Sequence, residues 1–218
     1  MLLSRLGHPN VVRVFDAGTV TTAAGERGWF TMEYVAGGNL DDVRTAHTAG
    51  PLPVADTVEI LRQLCAGLAA AHGEDPPIVH RDLTPWNVLV GQDGRGIRVR
   101  IGDFGLARRA QPGLTGGEGT LAFMAPEALR YGAGSSTAAD VYSVGVLAYL
   151  LLTDVLPHRD TRCTAPSGGA TRRALAVQPC RRRRARRPGA ARARPRPARR
   201  PQDAAAFAAD LAQWREAA

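Results

Sequence analysis

The chain has 218 residues, enough for one well-buried core or two small ones, with 28 basic residues against 20 acidic ones and a formal charge of +8. Every basic residue is Arg, and 14 of them fall within residues 161–200, which hold no acid; the other fourteen against twenty acids leave −6, which excludes a uniformly basic body. Three cysteines (Cys65, Cys163 and Cys180), odd in number and far apart, argue for reduced thiols in a cytoplasmic protein and against a disulfide framework.

In chain order, residues 1–6 read as the end of a helix, stopped by Gly7-His8-Pro9-Asn10. They offer no apolar core for a signal peptide. Residues 11–15 and 28–32 are β-branched and aromatic runs, predicted as strands. Residues 32–40 continue into a Gly37-Gly38 turn. Over residues 53–72, Val58, Leu61, Leu64, Leu68 and Ala71 recur at helical spacing, with Pro53 suited to the first helical position. Cys65 and His72 carry structural roles in this reading, His72 as a helix-end cap. Residues 140–152 form a nearly all-apolar helix that must be buried, and at that length it falls short of the roughly 20 residues of a bilayer span, so no membrane anchor is expected. Of residues 161–200, 31 are Arg, Ala, Pro or Gly, a composition that cannot build packed helices. From residue 200 to 211 an amphipathic helix resumes.

The chemistry-bearing pattern is the string His80-Arg81-Asp82-Leu83-Thr84-Pro85-Trp86-Asn87-Val88-Leu89, followed by Asp103-Phe104-Gly105 and then Ala125-Pro126-Glu127. Each piece is short, but the ordered trio resembles the catalytic loop, metal-binding loop and activation-segment end of a eukaryotic-like (Hanks-type) bacterial serine/threonine protein kinase. The resemblance implies an α+β, protein kinase-like fold with a partial small lobe of β strands and a mainly helical large lobe. Residues 1–35 would be the remnant of the small lobe and hinge, and 36–160 the large lobe with its catalytic and activation segments. Residues 161–197 would be the low-complexity segment and 198–218 the last large-lobe helix.

The same resemblance implies the cofactors, ATP and Mg²⁺, and the partner, a protein substrate with a Ser/Thr acceptor. Asp82 would take or orient the proton of the attacking hydroxyl, because that proton must leave as the oxygen–phosphorus bond forms. Asn87 and Asp103 would be the metal ligands, hard oxygen donors suited to Mg²⁺. Met32 would be the gatekeeper, with Glu33 and Val35 offering backbone groups to the adenine edge and Leu89 forming the floor. Thr84 stands where such kinases carry a Lys that contacts the γ-phosphate; a hydroxyl supplies no charge there. Gly119-Thr120-Leu121-Ala122-Phe123 resembles the substrate-pocket floor of Ser/Thr kinases, with Thr120 near Asp82. Gly116-Gly117-Glu118-Gly119 would be an activation-segment turn, Thr115 a phosphoacceptor for Arg81 or an unmodified loop residue. Asp140 would brace the catalytic-loop backbone, and Glu127 would pair with Arg200.

Two features depart from the family pattern. No Lys and no glycine-rich loop precede the hinge, so the 218-residue chain is expected to lack activity, and a pseudokinase or scaffold is the alternative function. The Arg-rich stretch stands where helices are expected, which is read as two compensating frame changes, in the gene or its sequence record, near residue 161 and shortly before Arg200. Its alternative is a genuine polyanion-binding segment, although it lacks the aromatics that stack on bases, so nucleic acid is not the expected partner.

Overall fold

The computed structural model describes residues 6–94, 96–104, 121–131, 136–157 and 201–216. Strands β1 (Val14–Thr22) and β2 (Gly25–Met32) form an antiparallel hairpin, in register from Asp16 opposite Thr31 to Thr22 opposite Gly25, with a bulge between Asp16 and Val14, which lies opposite Met32. Gly25 closes the turn at φ +101°, a conformation that a side chain would strain. Helix α1 (Leu40–Ala46) follows, then α2 (Val54–His72). A single 3₁₀ turn (Pro85–Asn87) leads into the antiparallel pair β3 (Val88–Asp93) and β4 (Gly96–Ile101). Helices α3 (Pro126–Tyr131), α4 (Thr137–Thr153) and α5 (Ala204–Glu216) complete the order. Strands near the N-terminus followed by a mainly helical part are the α+β arrangement expected.

The core lies where α2 meets β4, α4 and α5. Its helical stripe (Leu61, Leu64, Leu68 and Ala71) is fully buried beside Ile101, Tyr142, Leu147 and Phe207. Burying each such Leu contributes about 1.5–3 kcal/mol. Helix α4 is buried on every side from Val141 to Val146, so it is the central element. Gly67 lets α2 approach the chain at Asn10: an added Cβ would sit 2.7 Å from the Asn10 carbonyl oxygen.

Several boundaries differ from the sequence reading, each for a local reason. The strand predicted over 11–15 begins only at Val14, because Val11 instead bridges Ile101 and the Val12 N–H donates to the Ile101 carbonyl at 2.9 Å. Pro53 is the N-cap of α2 rather than its first residue. Helix α4 starts before Asp140, because Ser136 caps it by accepting from the Ala139 N–H at 3.2 Å. Helix α5 starts at Ala204, where Asp203 accepts from the Ala206 N–H at 2.8 Å. His72 is no simple cap: it is buried and reaches Asp140 at 2.9 Å. Of the predicted helix end over 1–6 only Leu6 is described, and it is buried outside any helix. The segment 161–197 lies outside the described residues, as do Arg200, Thr115 and Thr120.

Candidate active site

The loop that follows α2 is held from beneath by one carboxylate. Asp140, 1% exposed, projects from the first turn of α4. Its Oδ2 accepts from the His80 N–H at 2.8 Å and from His72 Nε2 at 2.9 Å, and its Oδ1 accepts from the Arg81 N–H at 2.9 Å. Arg81 sits at φ +74°, a left-handed conformation that a non-glycine residue keeps only when its surroundings hold it. Here the two backbone N–H groups clamped by Asp140 do so. The brace implied for Asp140 is therefore present, and His72, sixty-eight residues away in sequence, is its third partner. No local signal in the sequence marks that pair.

His80 carries the connection onward. Its Nε2–H donates to the Gly102 carbonyl at 2.8 Å, which leaves Nδ1 to accept from the Asp82 N–H at 3.3 Å. The ring lies 4.7 Å from that of Phe104. Burial holds its pKa below the usual value, against the pull of Asp140, the Gly102 carbonyl, Asp82 and Asp103, so the ring is neutral. One imidazole thus joins the loop at 80–82 to the loop at 102–104.

Asp82, Thr84 and Asn87 follow within one turn of chain. Pro85 opens the 3₁₀ turn, and the Asn87 N–H donates to the Thr84 carbonyl at 3.1 Å, with Thr84 buried. Asn87 Nδ2 donates to the Asp82 carbonyl at 2.7 Å, which leaves the amide oxygen of Asn87 as an acceptor. The Gly102 N–H donates to the Asn87 carbonyl at 2.9 Å, so Asp103, at φ +53°, follows directly on a residue fixed to Asn87. Asp82 Oδ1 is buried with no hydrogen-bond partner among the described residues. A buried carboxylate oxygen left unpaired costs about 1–3 kcal/mol or more, which marks a position kept for something other than stability.

The residues read as a hinge lie along the other side of β3 and β4. The Glu33 N–H donates to the Arg13 carbonyl at 2.9 Å, and its carboxylate pairs with Arg100, the cross-strand neighbour of Leu89. Leu89 also bridges Asn39, and the Val90 N–H donates to the Gly38 carbonyl at 2.9 Å. Gly37 touches β3 so closely that an added Cβ would lie 1.9 Å from the Val90 carbonyl oxygen, so only glycine fits. Met32 and Asp103 line one narrow cleft with Val12, Phe30, Ile101 and Phe104. Val35 lies outside that cleft lining, packed over Gly91. The structure thus brings Met32 to Asp103 and ties Asn87 to the Asp82 backbone. Further along, Ser143 Oγ donates to the Phe123 carbonyl at 2.8 Å, anchoring the residues before Ala125-Pro126-Glu127 to α4.

The donor set can be weighed against a divalent cation. An amide oxygen at Asn87 and a carboxylate at Asp103 are hard oxygen donors, and the commitment of Asn87 Nδ2 leaves the oxygen to face a metal. These residues fit Mg²⁺.

Comparison with known proteins agrees with this geometry. A family profile described as "Protein kinase domain" matches residues 1–214. The serine/threonine-protein kinase pkn2 of Myxococcus xanthus is 40% identical over 163 residues, which cover 72% of this chain and 18% of that protein. The serine/threonine-protein kinase PknL of Mycobacterium tuberculosis is 38% identical over 159 residues, covering 71% of this chain and 37% of that protein. The chain thus spans about a fifth to somewhat over a third of the length of the curated relatives it matches. Among solved structures, the kinase domain of Mycobacterium tuberculosis PknI superposes with a TM-score of 0.68 at 25% identity, over 98% of this chain and 75% of that one. The ordered motifs, the braced loop and these likenesses together establish that the chain belongs to the protein kinase domain family, with bacterial serine/threonine kinases among its relatives.

Proposed function

We propose that this site belongs to an ATP- and Mg²⁺-dependent serine/threonine protein kinase. Asp82 orients the acceptor hydroxyl and takes its proton as the new oxygen–phosphorus bond forms and the bond to the bridging oxygen of the leaving diphosphate breaks. The single observation that carries this reading is Asp82 Oδ1, a buried carboxylate oxygen without a hydrogen-bond partner among the described residues, on a loop whose backbone Asp140 and His80 hold rigid. Asn87 and Asp103 would hold the metal, and Mg²⁺, when bound, would neutralise charge on the transferred phosphoryl group. The backbone of Glu33 and Val35 would meet the adenine edge, with Met32 as the gatekeeper and Leu89 as the floor. Thr84 gives a hydroxyl where a cation would stabilise the developing charge more strongly. The substrate is a protein Ser/Thr hydroxyl.

These 218 residues contain no Lys, and catalysis of this type rests mainly on positioning and charge stabilisation. The chain alone is therefore proposed to bind MgATP weakly and to transfer no phosphate. The absence of Lys is also the observation that favours a scaffold as the second reading. Mg²⁺ titration followed by NMR separates the two. Shifts centred on Asn87 and Asp103 that disappear in Asp103→Asn support the kinase site; a site with no Mg²⁺ response counts for the scaffold.

A further inference from the structure

A second cleft, with a volume of about 400 Å³, lies near the junction of α2, β4 and the segment before β1. Successive residues of a strand face opposite sides. Ile101 lines the Met32–Asp103 cleft, whereas Arg98 and Arg100 line this one. Arg62 of α2 joins them, with Asn10, Gln63 and Asp93 completing the walls. A volume of this size falls in the range of small-ligand pockets.

Asn10 and Gln63 are held rigidly. Gln63 is 2% exposed, its oxygen accepting from Asn10 Nδ2 at 3.0 Å and the Val99 N–H at 2.9 Å, its nitrogen donating to the Ile97 carbonyl at 2.8 Å and Glu59 at 2.7 Å. Each guanidinium is steadied by one acid: Arg62 by Glu59 at 2.7 Å, Arg98 by Asp93 at 2.5 Å, and Arg100 by Glu33. Those bonds use only some of the donors. Arg98 meets Asp93 through Nε, Arg62 meets Glu59 through Nε and Nη2, and Arg100 uses Nε and Nη1. A guanidinium has five N–H donors, so each keeps several for a ligand. The pairs are partly exposed, a setting in which an ion pair contributes about 0–1 kcal/mol and yields readily to a stronger anion.

We propose that this cleft is a binding site for a phosphate group. Asp93 is the one carboxylate among the lining residues, and Glu59 and Glu33 balance the other two guanidiniums from outside the lining, so the ligand is recognised by the unused N–H donors of the three forks. A tetrahedral phosphate offers oxygens in several directions at once, whereas a carboxylate fills one guanidinium fork. Because Arg100 also holds Glu33, occupancy reaches the residues read as the hinge. The inference is independent of the phosphoryl-transfer reading.

The test is an NMR titration of the 218-residue chain with inorganic phosphate and, separately, with a phosphoserine peptide. Saturable shifts at Gln63, Arg98 and Arg100, with a smaller response at Glu33, are the result expected. The double variant Arg62→Gln/Arg98→Gln should raise the half-saturating concentration at least tenfold. Both side chains are exposed enough for that variant to fold, and its unperturbed core signals verify this. The Arg-rich stretch 161–200 stays intact in it and serves as the internal control for diffuse anion binding. Tighter binding of the peptide assigns the source to a phosphorylated protein segment, equal binding to the free anion; either supports the site. Linear, unsaturated shifts, shifts confined to 161–200, or an unchanged midpoint in the double variant would overturn it.

Discussion

Asp140 shows how one side chain can organise a site without entering it. Two backbone N–H groups and one imidazole converge on its carboxylate, and the left-handed Arg81 depends on that clamp. Replacing it with Ala leaves those donors buried and unpaired, so Asp140→Ala should cost about 3–5 kcal/mol in denaturant unfolding. His80 adds a pH dependence whose sign follows from its burial. Its folded pKa lies below the unfolded one, so the unfolded chain binds the extra proton first as pH falls below the ordinary His value. Stability is therefore complete above that value and is lost as pH drops toward the folded pKa. A His80→Gln variant, which keeps a donor for Gly102, should be less stable at pH 8, with the gap to the parent chain narrowing toward pH 5. A gap independent of pH would contradict a neutral His80. Cys65 behaves oppositely: burial pushes its thiol up to about 12. It should resist alkylation at pH 8 in the native state and react once urea unfolds the chain.

At the scale of elements, the hinge and the β3–β4 pair form one unit, joined by Asn39, Gly38 and the close approach of Gly37 to Val90. Gly37→Ala must push the two apart. It should destabilise the fold by several kcal/mol, with accelerated amide exchange at Val90. A neutral Gly37→Ala would show that the contact opens freely. Elements with strong periodicity were legible in the sequence: α2 from its stripe, α4 from its nearly all-apolar run, α5 from the amphipathic pattern of residues 200–211. Shorter ones were not read. The cap of α1 is an Asn39–Asp42 box, and β3 ends at Asp93, paired with Gly96 and followed by Gly94, with alternation over 96–101, both signals present but brief. Asp82, Asn87 and Asp103 stood out because their motifs are contiguous. His72 did not, since its partner lies across the fold and only tertiary packing brings them together.

The molecule as a whole combines a well-packed helical core with a hairpin that exposes Phe15, Trp29, Phe30 and Met32. Among the described residues no helix is long and apolar enough to cross a membrane. The Arg-rich stretch has a direct genetic test: Arg, Ala, Pro and Gly share codons that begin with G and C alone. Shifting the reading frame of the codons for residues 161–197 should reveal leucine-rich helical sequence. Stop codons or continued low complexity in both other frames would instead favour a genuine polyanion-binding segment.

Phosphotransfer with and without the Asp82 carboxylate tests the central claim most directly. The measurement is transfer of the γ-phosphoryl group of ATP by the chain supplied with a glycine-rich loop, a Lys and a Glu ahead of residue 1 and with helices in place of 161–197. Mg²⁺-dependent transfer to a Ser/Thr hydroxyl is predicted, falling by about 10²–10⁴-fold in Asp82→Asn while nucleotide binding persists. Transfer that survives Asp82→Asn undiminished would contradict the account.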